Sequence, residues 1–224
     1  EGHARKVDGG FVVSGQWTLV SGCELADWFA LRCIITPDGT LIKPGPGVEL
    51  KILFLPKETI EVIDTCNVGG LRGTGSHDIK IESAFVPNEY AVSFDSPVAI
   101  ETPYSRLPIG CINSAGCGAM ALGLAKSAVN ALITIGLERV TQGKNPDLRD
   151  RPGVQATVAK SLAKYSSCSS NLYTSVSRLW EESLKENKFS DKLLADVWAA
   201  AHLAAITSRA TVTDIFAVAG SSAL

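Results

Sequence analysis

The stretch Gly69-Gly-Leu-Arg-Gly-Thr-Gly-Ser-His-Asp78, followed at once by Ile79-Lys-Ile-Glu-Ser-Ala-Phe-Val-Pro87, separates two kinds of pattern in the 224-residue sequence. Its glycines predict a flexible polar loop whose backbone can approach a ligand closely. The alternation of apolar and charged residues after Asp78 predicts a strand that Pro87 ends. The sequence has strand patterns before this stretch and helix patterns well after it. We therefore expect the loop at the junction of a two-part α+β architecture; a plain Gly-rich connection between strands is the alternative.

The first part of the sequence predicts an antiparallel β domain over residues 1–95, a barrel or a sandwich. Turn sequences such as Pro37-Asp-Gly39 separate its short strand patterns. Gly15-Gln16 has the composition of a tight hairpin turn between the first two of them. The predicted strands are 11–15, 17–21, 27–36, 48–55, 60–66 and 79–86.

Residues 96–107 read as a linker, and from Pro108 the apolar spacing changes to three or four residues. This spacing predicts helices over about 108–142, 154–187 and 191–219, with Ser190 capping the third and Gly220 ending it. Glycine and alanine crowd the first helix, so it can pack closely against its neighbours. We expect an antiparallel helical bundle over 108–224 in which three of four helices are present, the fourth lying beyond the sequence given.

Composition narrows the class of protein. With 21 basic and 23 acidic residues the net charge is -2, which argues against nucleic acid or an anionic membrane as a partner. No apolar run approaches the roughly 18 residues of a spanning helix, and no signal peptide opens the sequence. The spacing of the six cysteines favours reduced thiols in a cytoplasmic protein over disulfides and matches no metal-ligand pattern. Because the sequence opens on Glu1 and has a single methionine, Met120, we expect a fragment of a longer protein.

Two motifs of the strand half resemble a known family. They are Gly15-Gln-Trp-Thr-Leu-Val-Ser-Gly22 and Gly70-Leu-Arg-Gly-Thr-Gly-Ser-His-Asp78. Together with long helices that end Ala219-Gly-Ser-Ser-Ala-Leu224, they resemble the acyl-CoA dehydrogenase superfamily. The segment Trp17–Ser21 is similar to the two-component flavin-dependent monooxygenase branch, which includes aromatic or steroid-phenol hydroxylases and dibenzothiophene-type monooxygenases. Acyl-CoA dehydrogenases more typically carry Trp-Ile-Thr-Asn there.

The resemblance implies an oxidoreductase that hydroxylates an aromatic, phenolic substrate with oxygen and a reduced flavin, FMN or FAD, supplied by a separate flavin reductase. It also implies a homotetramer. The alternative enzyme is an acyl-CoA dehydrogenase that oxidises an acyl thioester with FAD, and a third possibility is an inactive assembly module. We expect the fragment alone to be inactive, because the family's N-terminal helical domain and last helix are not in the sequence.

The resemblance places the flavin ring against a segment of the strand domain, where an aromatic wall and backbone N–H groups would face the ring. The Ser21 hydroxyl would then hydrogen-bond near flavin N5 and tune it. Without the resemblance, Trp17 reads as a core aromatic and Ser21 as a turn residue. The residues implied for this contact are Trp17, Thr18, Leu19, Val20 and Ser21.

Two further cofactor contacts follow from the resemblance. Arg139 lies where the family carries a helix-end arginine that reaches the flavin phosphate of a neighbouring subunit, and a guanidinium suits phosphate because it offers a planar fork of donors. Ser221 lies in a turn that borders the cofactor across the subunit interface. The alternative for Arg139 is a cation favoured near a helix C-terminus.

No catalytic residue is assigned from the sequence. His77 is a candidate proton shuttle because histidine titrates near neutral pH and this one lies in a polar loop. The resemblance instead implies a histidine base beyond Leu224, and a loop that shapes the β domain. His202, within an Ala-rich helix, reads as a histidine of the bundle.

Overall fold

The computed structural model describes residues 2–37, 45, 47–93, 100–138, 146–185 and 188–220. The chain divides into two compact units, Glu1–Pro97 and Val98–Leu224. The described residues of the first unit form strands and short 3-10 turns, and those of the second form long helices. The predicted α+β class is confirmed.

The first unit is a single mixed sheet of seven described strands in the order β5-β6-β2-β1-β3-β4-β7. Five of the six strand pairs are antiparallel, and β1 and β3 run parallel. β5 and β7 form its edges, so the described strands make an open sheet where the sequence predicted an antiparallel barrel or sandwich. The strands are β1 (Gly2–Val7), β2 (Gly10–Val20), β3 (Trp28–Thr36), β4 (Leu50–Pro56), β5 (Glu61–Ile63), β6 (His77–Pro87) and β7 (Ala91–Ser93).

The predicted hairpin at Gly15-Gln16 is wrong. β2 runs through this point as one strand, and its register against β6 shifts between Val13 and Gly15. The extra residue of this β-bulge lies on β6, where Glu82 and Ser83 oppose Ser14, and Gly15 continues β2 at φ 146°. The hairpin partner of β2 is β1, and the turn between them contains Gly9 at φ 77°.

Alternating residues of the central strands form the core of the β unit. Val13, Leu53 and Ile79 are fully buried, and so is Cys33 on β3. Burial raises the pKa of the Cys33 thiol to about 12, so it stays protonated and unreactive. All six cysteines are free thiols, in agreement with their spacing in the sequence.

The second unit packs three long helices together: α1 (Ile109–Glu138), α2 (Pro152–Ser183) and α3 (Asp191–Ala219). Ser190 caps α3 as predicted, because its side chain accepts a hydrogen bond from the Leu193 amide at 3.3 Å. α1 and α3 approach closely at Gly118, where a Cβ would lie 3.0 Å from the Ala201 Cα. The predicted ends at 142 and 187 lie outside the described residues.

α1 is more apolar than predicted from the sequence, since no apolar run close to the length of a membrane-spanning helix was expected there. Over an 18-residue window its mean hydropathy is 1.5, so by length and composition alone it could cross a membrane. Alanine and larger apolar residues produce this value, and some of them pack on α2 and α3. Leu122 of α1, for example, is buried beside Leu172 of α2 and Ala201 of α3.

Candidate functional site in the β unit

The C-terminal end of β2 leaves the regular ladder and bends outward. Its pairing with β6 shifts register between Trp17 and Val20, so that Thr18 and Leu19 fall between the registered pairs. Leu19 has φ 56°, a left-handed conformation that costs a non-glycine residue about 1–2 kcal/mol, and its side chain is 70% exposed. We call residues 17–21 the β2 arch. The bulge makes it present Thr18, Leu19 and Ser21 to solvent.

The Gly-rich stretch, residues 69–78, holds this arch through hydrogen bonds. The Gly22 amide donates to the Thr74 carbonyl at 2.7 Å, directly after the arch. The Asp78 carboxylate accepts from the Leu19 amide at 3.4 Å and from Gln16 Nε2 at 3.0 Å. A strained arch held at both ends is a preformed surface, since bonds from a neighbouring segment fix its unusual backbone.

The stretch itself turns sharply. Leu71 at φ 59° and Gly75 at φ 50° flank a 3-10 turn over Arg72–Thr74. The Arg72 Nε donates to the Val68 carbonyl at 2.9 Å, so this guanidinium stabilises its own loop. The polar groups of the predicted ligand loop are thus largely used to shape the loop and the arch.

A row of hydroxyls leads from the loop to the arch. Thr74 Oγ1 donates to the Leu71 carbonyl at 2.9 Å and lies 2.7 Å from Ser76 Oγ. Ser76 Oγ lies 2.8 Å from Ser21 Oγ. Ser21 is therefore an exposed hydroxyl of the arch whose orientation depends on residues more than fifty positions away.

Trp17 differs from the other arch residues because its indole is half-buried. Its Nε1 donates to the Arg32 carbonyl at 3.0 Å, and the ring lies so close to Gly2 that a Cβ there would overlap it. The side chain also packs against the apolar core of the unit. This placement favours the core-aromatic interpretation of Trp17; its contact with a flavin stays a prediction.

His77 serves the loop. Its Nδ1 lies 3.2 Å from the Thr65 amide and 3.3 Å from the Cys66 amide, both of which donate to it. Its Nδ1 also lies 3.1 Å from the exposed Asp64 carboxylate, and its Nε2 lies 3.8 Å from Glu24 Oε2. His77 therefore fastens residues 64–66 to β6, which fits a structural role better than a proton shuttle.

The remaining predicted contacts cannot be placed beside the arch. Arg139 and Ser221 lie outside the described residues. The sequence prediction missed the supports of the arch, namely Gln16, Thr74 and Asp78, and named Ser76 only as part of the polar Gly-rich loop. The five polar residues within the Gly-rich stretch were the available signal, but the sequence does not show which residues of β2 they contact.

The arch has the chemical character that a flavin ring requires. Cofactor sites combine apolar contact with a few placed polar groups. Here exposed Leu19 supplies apolar surface, and the Thr18 and Ser21 hydroxyls supply polar groups within the same five residues. The residues described at this site therefore fit the predicted group.

The helical unit matches a known family domain. The family model for "Acyl-CoA dehydrogenase, C-terminal domain" matches residues 115–224. Residues 115–224 form an acyl-CoA dehydrogenase C-terminal domain. Its three helices are those described above, and the predicted resemblance to this superfamily is confirmed.

Curated relatives belong to the flavin-dependent monooxygenase branch. The chain is 33% identical to the flavin-dependent monooxygenase oxygenase subunit HsaA of Rhodococcus jostii over 58% of the chain and 35% of that protein. It is 30% identical to indole-3-acetate monooxygenase of Pseudomonas putida over 81% of the chain and 45% of that protein. It is also 30% identical to the oxygenase component of the FADH(2)-dependent resorcinol hydroxylase of a Rhizobium strain, over 78% of the chain and 45% of that protein. The matched part thus spans less than half the length of each relative.

The fold agrees with that of solved relatives. The crystal structure of the 3-HSA hydroxylase from Rhodococcus sp. RHA1 superposes on all of this chain with a TM-score of 0.85 at 24% identity, and the chain covers 57% of it. At this identity the likeness establishes the fold alone. It confirms that the chain shares the fold of the matching part of that hydroxylase.

Proposed function

We propose that this chain is the flavin-contacting part of the oxygenase component of a two-component monooxygenase that hydroxylates an aromatic, phenolic substrate. The observation that carries the proposal is the β2 arch: a strained, braced segment with exposed Leu19 and Ser21 at the position of the family's flavin motif. Its relatives in sequence are named as monooxygenases and a resorcinol hydroxylase. Two of these names state a substrate, indole-3-acetate and resorcinol, and both are aromatic.

The cofactor that we propose is a reduced flavin. One of the relatives is named as FADH(2)-dependent, which favours FAD over FMN for this chain. When bound, the reduced flavin would supply the electrons that activate oxygen. Thr18, Leu19, Val20 and Ser21 would hold its ring, and Arg139 and Ser221 would contact the flavin of a neighbouring subunit.

The residues of the chain contribute binding, orientation and exclusion of water. Leu19 would cover one side of the ring and keep water from it. Ser21 would offer a hydrogen bond at the ring edge, from an oxygen whose position is fixed by Ser76. The arch is preformed, so little ordering would be required when the flavin binds.

The partners and the cellular location follow from the same proposal. A flavin reductase would supply the reduced cofactor, and the helices would assemble into a homotetramer. A protein that receives reduced flavin from a soluble reductase would act in the bacterial cytoplasm.

The test uses the protein expressed from its complete reading frame. It is supplied with reduced flavin and oxygen beside a panel of phenols, and the products are identified by mass spectrometry. In a separate anaerobic arm, the enzyme with oxidised flavin is mixed with acyl-CoA thioesters and the flavin absorbance is followed. We expect a hydroxylated phenol and no bleaching by thioesters; bleaching without any hydroxylated product would make the protein an acyl-CoA dehydrogenase.

A further inference from the structure

We propose that Thr74 and Ser76 are positioning residues that fix the Ser21 hydroxyl as a hydrogen-bond acceptor toward the ligand, so that the site selects the reduced form of flavin. The inference rests on the proposed flavin site and adds to it how one redox form is chosen. It is carried by the row of hydroxyls Thr74, Ser76 and Ser21, which we call the hydroxyl relay.

The direction of the relay follows from counting protons. Each hydroxyl has a single proton to donate. Thr74 Oγ1 lies 2.9 Å from the Leu71 carbonyl, which can only accept, so the Thr74 proton is used there. In the 2.7 Å hydrogen bond between Thr74 and Ser76, Ser76 must then be the donor and Thr74 the acceptor.

The same argument fixes the next hydroxyl. Since the Ser76 proton is used in the hydrogen bond to Thr74, Ser21 must be the donor in the 2.8 Å hydrogen bond between Ser76 and Ser21. Only one arrangement of protons satisfies all three contacts. In that arrangement Ser21 Oγ keeps lone pairs and has no proton left for a ligand.

The backbone keeps the relay in place. The Gly22 amide donates to the Thr74 carbonyl at 2.7 Å, so the residue after Ser21 is bonded to the first residue of the relay. The Cys23 thiol donates to the Gly75 carbonyl at 3.4 Å beside it. Removing one hydroxyl of the relay should therefore change which atoms donate while leaving the arch in position.

An acceptor at this position distinguishes the two redox forms of a flavin. Reduced flavin has an N–H at N5 and can donate to Ser21, whereas N5 of oxidised flavin is itself an acceptor and finds no donor there. A hydrogen bond of this kind changes affinity about two- to tenfold. The relay would thus favour the form that a reductase delivers and promote release of the oxidised form.

The test compares the dissociation constants of oxidised and reduced flavin, the latter measured anaerobically, for variants of the protein expressed from its complete reading frame. Thr74→Val frees the Ser76 proton and Ser76→Ala frees the Ser21 proton, so in both variants Ser21 can donate. We expect the preference for reduced over oxidised flavin to fall about two- to tenfold, with a matching fall in the midpoint potential of the bound flavin. Thr74→Ser keeps the hydroxyl and should keep the preference.

Thr59→Val is the matched control. Thr59 Oγ1 donates to the Pro56 carbonyl at 2.8 Å, three residues before it, as Thr74 does to Leu71, but it is not part of the relay. This variant should leave the preference unchanged. An unchanged preference in Thr74→Val and Ser76→Ala, or an equal loss of affinity for both forms, would overturn the relay. If the unaltered protein bound neither form of flavin, the proposed function itself would fail, and the relay with it.

Discussion

Replacing Asp78 with alanine should release the β2 arch. The change removes the acceptors of the Leu19 amide, at 3.4 Å, and of Gln16 Nε2, at 3.0 Å. A net hydrogen bond contributes about 0.5–1.5 kcal/mol, and the longer bond should lie at the low end of that range. The sum is about 1–2 kcal/mol. The left-handed conformation of Leu19 is itself unfavourable, so after this change its relaxation would be opposed by the Gly22–Thr74 hydrogen bond and the Ser21–Ser76 contact.

The assay is amide hydrogen exchange at Leu19. A loss of about 1–2 kcal/mol corresponds to about 5–30-fold more local opening, and the protection of this amide should fall by that factor. Asp78→Asn retains one carbonyl acceptor and should lose less. Glu82→Ala is the control, since Glu82 lies on the same strand with a side chain that is 79% exposed. If Leu19 exchanged at the same rate in Asp78→Ala as in the unaltered protein, the carboxylate would not brace the arch.

Three further predictions concern the helices, the arch and the core. Gly118→Val should destabilise the helical unit by about 1–3 kcal/mol, because its Cβ meets the Ala201 backbone; Gly123→Val, with open space around it, is the control in a thermal melt. Ser21→Ala should weaken binding of reduced flavin by about 0.5–1.5 kcal/mol and lower the yield of hydroxylated phenol per reduced flavin further, as measured by peroxide release. Burial raises the pKa of the Cys33 thiol from 9.0 to about 12, so as pH rises the unfolded chain loses this proton before the folded protein does. The free energy of unfolding should therefore fall as pH rises from 9.0 to about 12. In urea denaturation, Cys33→Ala should show a smaller decrease over the same pH range.

The division into a strand half and a helix half could be predicted because each has its own period in the sequence. Three long helices follow from apolar residues spaced by three or four, and Ser190 signals the start of the last. β1 was missed since Gly2 and Ala4, although buried, add little to an apolar pattern. β2 was divided in two because Gly15 is a common turn residue, and only its pairing with Ile81 of β6 shows that the strand continues.

The candidate site was predictable in part. Ser21 was found through a family motif, and its exposure agrees with a contact role. Its supports were not found, because Ser76 and Asp78 reach β2 across more than fifty residues of sequence. The flavin contact of Trp17 stays a prediction, and the sequence did not reveal that its indole N–H donates to the Arg32 carbonyl inside the unit.

The most direct test is a crystal structure of the protein from its complete reading frame with reduced flavin bound. The account predicts the flavin ring against the β2 arch, with N5 within about 2.7–3.2 Å of Ser21 Oγ. A ring bound elsewhere, with Ser21 facing only solvent, would contradict it.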